Sequence, residues 1–354
     1  MKRGIALGWV LYDDGRPAYG AGDIALLAEA RAEIVRFDFR LGAYGPGVWD
    51  QTILGHYRGV ASQLREKGIE VIGLLGHGIV ARPNQQAWNT GQTEPGNWDP
   101  TQGGPANGVG AYNDFLKTYV ANASTIVGAL QDGVGYWELW NEPNAWHQPA
   151  PPWGGSFIYP SLYARLLHET IPAIRDRQRE STIITGGLFA FSGRGADPGS
   201  SSGQRYLGNV QQCLQRAGLG FEADAIGVHL YLDGGGQAQP GRIDDYLGRI
   251  ASFAGGRPLY VTEAGWRSEA LPQEAIGPLA PGGVTLQQQA ENVRILFEAC
   301  GSSKHNVAAT CWFTLYDNRS APPDQKTYGL VGAASTPSQG ARKPAYEAFR
   351  ALAG

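Results

Sequence analysis

Eight apolar runs of strand length alternate with eight amphipathic segments of helix length along this 354-residue sequence, and that alternation constrains the fold more than any other feature. The strand-like runs are GIALGWV (4–10), EIVRFDFR (33–40), EVIGLLG (70–76), GYWELWNE (135–142), TIITGGL (182–188), AIGVHLY (225–231), PLYVTEAGW (258–266) and VAATCWFTLYD (307–317). Between and after them lie DIALLAEARA, DQTILGHYRGVASQLREKG, residues 113–130, SLYARLLHETIPAIRDRQ, RYLGNVQQCLQRAG, RIDDYLGRIASFA, TLQQQAENVRILFEAC and RKPAYEAFRALA. Strands buried on both faces read as near-continuous apolar runs, and parallel neighbours need a helical crossover between them. Eight such units in strict order predict an α/β chain folded as a closed (β/α)8 barrel, one domain over residues 1–354. An open doubly wound sheet would carry a Gly-rich phosphate loop after its first strand, and GWVLYDDG lacks that pattern.

Loop lengths point to one working face. Helix-to-strand joints such as KGIE and QRESTI are short, whereas the strand-to-helix stretches 77–110, 144–160, 190–204, 267–284 and 317–341 are long. In a barrel these all leave the carboxyl ends of the strands, where function resides. They are rich in Gly, Pro, Asn and aromatics, including Trp88, Trp98, Trp146, Trp153 and Tyr159, as a carbohydrate-lined cleft requires.

Composition narrows the partner. A net charge of -3 with 17% charged residues and no basic run offers no footprint for nucleic acid or a membrane surface, so a neutral partner is expected. Ten Trp, sixteen Tyr and 51 Gly suit stacking on sugar rings. Cys213, Cys300 and Cys311 show no disulfide or zinc spacing and read as buried thiols. No run of 18 apolar residues suggests a membrane span, and the opening MKRGIALGWV reads as a first strand rather than a signal peptide; a cytoplasmic monomer is the expectation.

The stretch WELWNEPNAW carries two glutamates. Strand alternation gives Glu138, Trp140 and Glu142 the inward parity and Trp137 the outward one. Glu138 then lies about 13 Å deeper than Glu142, inside the layered core, where it must find hydrogen-bond partners. Glu142 stands at the lip, followed by Pro143, which ends the ladder. Glu263, in PLYVTEAGW, ends the seventh strand across the barrel, so two carboxylates can converge over the mouth, as glycoside hydrolysis requires.

WELWNEPN and VTEAGW resemble the acid/base and nucleophile motifs of the clan A retaining glycoside hydrolases, most closely families 5 and 39. The resemblance extends to Arg40 at the end of strand two, His77 after strand three, His229 and Tyr231 in GVHLY of strand six, and Trp312 in CWFTLY of strand eight. Family 39 xylosidases usually carry an added β-sandwich, whereas this sequence ends at ALAG, which argues against a direct xylosidase assignment. The resemblance implies retention of configuration, with Glu263 as ionised nucleophile, stabilised by Arg40 and Tyr231, and Glu142 as a carboxyl that starts protonated and later acts as base. Asn141 would bond the sugar 2-hydroxyl, and Trp312 would underlie the reacting ring or simply pack the core. His77 and His229 would bond sugar hydroxyls or orient the glutamates, and Trp146 would line the cleft. The expected substrate is a β-linked oligo- or polysaccharide, with no cofactor and no metal. A transglycosylase built on the same residues, or a carbohydrate-binding pseudoenzyme, are the alternatives. A Schiff-base aldolase is disfavoured because none of the eight runs contains a lysine.

Overall fold

The computed structural model describes residues 1–11, 17–40, 51–80, 98–99, 104–105, 108–145, 158–189, 203–232, 236–268, 283–317, 327–332 and 341–352. Eight parallel strands close into a barrel: β1 (Lys2–Trp9), β2 (Ile34–Asp38), β3 (Glu70–Leu75), β4 (Tyr136–Asn141), β5 (Thr182–Phe189), β6 (Ile226–Leu230), β7 (Leu259–Ala264) and β8 (Val307–Phe313). Each run read as a strand in the sequence is one. Spatial order follows chain order, and the cylinder closes where β1 pairs with β8, Ile5 opposite Trp312.

The outer ring is formed by α1 (Ala21–Glu29), α2 (Gln51–Glu66), α3 (Asp114–Leu130), α4 (Pro160–Arg175), α5 (Gly203–Arg216), α6 (Pro240–Ala254), α7 (Leu286–Gly301) and α8 (Pro344–Ala351). Local chemistry sets several of their starts. Asn113 caps α3 by accepting from Leu116 N–H at 3.0 Å, Thr285 and Gln288 form a capping box on α7, and α4, α6 and α8 each begin with a proline in the first turn. Trp98–Asp99 and Gly104–Pro105 pair as a two-residue antiparallel ribbon after β3. No helix among the described residues is long and apolar enough to cross a membrane.

The barrel interior is layered. Its lower part is apolar, with Ala6, Ile34, Ile72, Ile184, Ala225, Tyr260, Ala309 and Cys311 packed together. Above them lies an ionic layer around Arg36 and Glu138, both essentially unexposed. All three cysteines are buried and unpaired, and burial pushes each thiol up to about 12.

Regular alternation fails at the carboxyl lip of three strands. In β1, Ala6 pairs with Arg36 but Gly8 with Phe37, so Leu7 is an extra residue, and Gly8 takes φ +66°. In β4, Trp140 adopts φ +79°. In β7, Val261 pairs with Val228 but Glu263 with His229, which leaves Thr262 unmatched. An added or left-handed residue bends a strand and re-aims the side chains beyond it, and barrel rims are where such features concentrate.

Candidate active site

Glu138 is the floor of the site. It is 0% exposed, and its partners are the ones a buried carboxylate needs. Oε1 accepts from Gly187 N–H and from Thr262 Oγ1, both at 2.8 Å, while Oε2 is bonded to Arg36 Nε.

Arg36 then ties the floor to the lip. Its Nη1 donates to Glu263 Oε1 at 2.5 Å and its Nη2 donates to Asn141 Oδ1 at 2.7 Å. The cation expected on Glu263 from Arg40 is therefore supplied by Arg36. Arg40 instead lies over the Trp9 ring at 3.7 Å and donates to Leu11 O at 3.3 Å. The sequence contains a signal for this: a buried Glu138 calls for an inward cation, and Arg36 shares the inward parity of Ile34.

Glu263 also accepts from the Tyr231 hydroxyl, at 2.7 Å on Oε2. Burial works against its ionisation, but His229, Arg36 and the Tyr231 hydroxyl together hold its carboxyl below the ordinary value. Burial and the Glu263 charge keep the Tyr231 phenol far above its usual value, so it remains a donor.

Glu142 is placed by the Asn-Glu-Pro turn. Ala145 N–H donates to Glu142 O at 2.9 Å, and Asn144 clamps the end of β5 through both its amide groups, at 2.9 and 2.8 Å to the Phe189 backbone. Its side chain, 21% exposed, meets His229 Nδ1 at 2.8 Å through Oε1. His229 Nδ1 is also 3.7 Å from Glu263 Oε2, so the imidazole stands between the two glutamates. Burial opposes a charge on His229, but Glu263 and the bond to Glu142 raise its pKa above the ordinary value. The ring rides directly on β5, where a side-chain carbon at Gly187 would fall 2.1 Å from Nε2.

Other expected residues fall elsewhere. Trp140 has the inward parity by count, but its left-handed backbone turns it outward, against Phe115 and Tyr119 of α3 and the His77 ring, at centroid distances of 6.1, 5.9 and 6.0 Å. That turn brings both Asn141 and Glu142 to the mouth. Trp137 packs outward as expected, donating to Gln178 Oε1 at 2.7 Å. Trp312 is 0% exposed, stacked on Trp266 in the layer beneath the helices, and so cannot underlie a sugar. Its neighbour Phe313 has the inward parity of Ala309 and Cys311 and packs edge-on against Tyr231, which the same counting from Cys311 would have found. His77 opens a 3-10 turn, and burial lowers its pKa to about 4, which keeps it neutral. Trp146 lies outside the described residues.

Glu142, His229 and Glu263 each offer an atom within 4.8 Å of the others, a composition able to hold a metal ion. Part of this set is already engaged: His229 Nδ1 meets Glu142 Oε1, and each Glu263 oxygen accepts one hydrogen bond, from Arg36 or Tyr231. A second cation would also have to displace or repel the Arg36 guanidinium.

Known proteins share this architecture but not this sequence. No family model matches the chain, and no curated protein does. Solved structures do match. A family 39 glycoside hydrolase from the gut symbiont Bacteroides cellulosilyticus WH2 aligns over 99% of this chain with a TM-score of 0.60 at 17% identity. The chain spans 63% of that protein's length. The virulence factor SghA, solved with its substrate analog salicin, gives a TM-score of 0.67 at 13% identity over 99% of this chain and 95% of its own. A beta-glucosidase from Exiguobacterium marinum gives 0.63 at 13% identity over 99% and 97%. The fold is that of the clan A glycoside hydrolases. At these identities the likeness is one of architecture, and the chemistry has to be argued from the site.

Proposed function

We propose that the chain is a retaining glycoside hydrolase acting on β-linked glycans, with Glu263 as nucleophile and Glu142 as acid/base. The observation that carries this reading is the separation of the glutamates: an oxygen of Glu142 lies within 4.8 Å of one of Glu263. Retaining enzymes place their carboxyl groups about 5 to 5.5 Å apart, whereas inverting ones need about 6.5 to 9.5 Å to admit a water.

The surroundings divide the labour. Glu263, held ionised by Arg36 and Tyr231, attacks the anomeric carbon and forms a glycosyl ester. Glu142 gives its proton to the departing oxygen, then takes one from the water that hydrolyses the ester. His229 orients Glu142 through Nδ1. Asn141 has its carbonyl oxygen occupied by Arg36, which leaves the amide N–H groups to donate to the 2-hydroxyl as positive charge develops on the ring.

Kinetics of Glu142→Gln and Glu263→Gln on aryl β-glycosides test the reading. Loss of at least about a thousandfold in kcat for Glu263→Gln is expected, since the nucleophile has no substitute; undiminished turnover in both variants sinks it. Proton NMR of the first-formed product distinguishes retention from inversion.

A further inference from the structure

The β1–β2 edge of the mouth holds three side chains that the chemistry above does not use. The extra residue in β1 is what brings the first of them there. Trp9 would otherwise follow Leu7 into the core beneath the helices; with Leu7 unmatched and Gly8 left-handed, it pairs with Asp38 instead. Register partners in a parallel ladder present their side chains on the same face. Asp38 continues the inward series Ile34, Arg36, so Trp9 comes to the mouth side.

Trp9 is 51% exposed, more than any other large hydrophobic among the described residues. One face of the indole is backed by the Arg40 guanidinium at 3.7 Å. Arg40 is itself buried and fixed, its N–H donating to Tyr57 Oη at 3.2 Å and its Nη2 to Leu11 O at 3.3 Å. The ring is thus held from behind and presented on its other side. Beside it, Asp38 accepts no hydrogen bond from a described residue. Its Oδ1 is enclosed, 3.7 Å from Arg36 Nη1, while the side chain as a whole is 26% exposed. Because the same Nη1 touches Glu263, Asp38 stands at the border of the reaction centre, with Trp9 beyond it along the rim.

A rigid aromatic face next to an unsatisfied carboxylate suits a neutral sugar ring: the axial C–H face packs on the indole, and the hydroxyls donate to the carboxylate. We propose that Trp9 and Asp38 form a second sugar subsite, in which Trp9 stacks on the ring adjoining the one cleaved and Asp38 accepts hydrogen bonds from hydroxyls at the junction. This rests on the glycosidase reading and names its substrate class: the departing group leaves beside Glu142, so the β1–β2 edge holds a further glycone unit, and the preferred substrate carries at least two glycone sugars.

The test compares kcat/KM for p-nitrophenyl β-glycosides of matched mono- and disaccharides: glucoside with cellobioside, xyloside with xylobioside, mannoside with mannobioside. The wild type should prefer one disaccharide by at least about tenfold. Trp9→Ala should lower that ratio by at least about tenfold, chiefly through KM, and Trp9→Phe should restore part of it. A ratio unchanged by Trp9→Ala, or a wild type that prefers monosaccharides, overturns the subsite. If the wild type cleaves none of the six, the hydrolase reading fails separately. Binding of cellotetraose, xylotetraose and mannotetraose, followed by calorimetry, then decides: wild-type binding lost in Trp9→Ala sustains the subsite, and equal or absent binding overturns it.

Discussion

Arg36 Nη1 lies 2.5 Å from Glu263 Oε1, and the rest of the same guanidinium is committed to Glu138 and Asn141. One buried cation thereby serves a structural carboxylate and the proposed nucleophile. In Arg36→Met, Glu263 loses a charge that holds its pKa down, so the acidic limb of the pH–activity profile should move to higher pH. The depressed carboxyl of Glu263 contributes stability above its unfolded value, about 4.3, and loses it as the pH falls through its folded value; the variant should lose the share of that contribution that Arg36 supplies, while His229 and Tyr231 retain theirs. Leaving Glu138 buried without its cation should cost about 3 to 5 kcal/mol more, read by urea unfolding at pH 7.

Glu142→Ala should separate proton donation from the rest of the chemistry. Aryl glycosides with acidic phenols leave without help, so their glycosylation step should slow by less than about tenfold, whereas natural oligosaccharides should lose at least about a thousandfold. Pre-steady-state measurement of phenol release shows the difference. Equal losses on both would speak against Glu142 as the proton donor.

Asp38 is pushed up to about 6, by burial first and then by Glu263 and Glu138, with Arg36 pulling the other way. Its folded value lies above the unfolded one of about 3.9, so its contribution favours folding below that value and fades as the pH rises through 6. Above that pH the folded chain carries an unsatisfied carboxylate. Asp38→Asn should therefore raise Tm by about 2 to 5 °C at pH 8 and leave it nearly unchanged at pH 4, as measured by calorimetry.

Gly187→Ala puts a methyl group where the His229 ring lies, 2.1 Å from Nε2. The imidazole must move and its 2.8 Å bond to Glu142 must break. Activity should fall at least about a hundredfold, as expected when a catalytic group is misplaced by about 1 Å.

Much of this architecture is legible in the residues alone. The barrel comes from alternating periodicities, Glu142 and Glu263 come from their strand-end motifs, beyond the breaks at Trp140 and Thr262, and Glu138, His229 and Tyr231 come from parity on strands whose alternation holds up to those residues. Trp140 does not, because a left-handed residue inside an apolar run leaves no compositional mark: the side chain is a tryptophan, not a glycine. Asn141 reaches Arg36 only because of that turn. Arg40 looks the better cation only if a lip position is the requirement, whereas a guanidinium spans two layers and Arg36 acts from below. Trp312 is favoured over Phe313 by the family resemblance, against the count from Cys311. Gly8, followed by an aromatic at a strand end, is the one visible sign of an interrupted ladder, and apolar periodicity passes over it.

The breaks in alternation at the rim bear on how this barrel could be changed. Backbone geometry at the carboxyl ends of β1, β4 and β7, with the turn from Glu142 to Ala145, aims Trp9, Glu142 and Glu263. On the proposed glycosidase reading, the strand-to-helix loops beyond that rim can be exchanged, lengthened or trimmed to suit a different glycan while the spacing of the two glutamates stays as it is. A loop library grafted above this rim would vary specificity over a constant reaction.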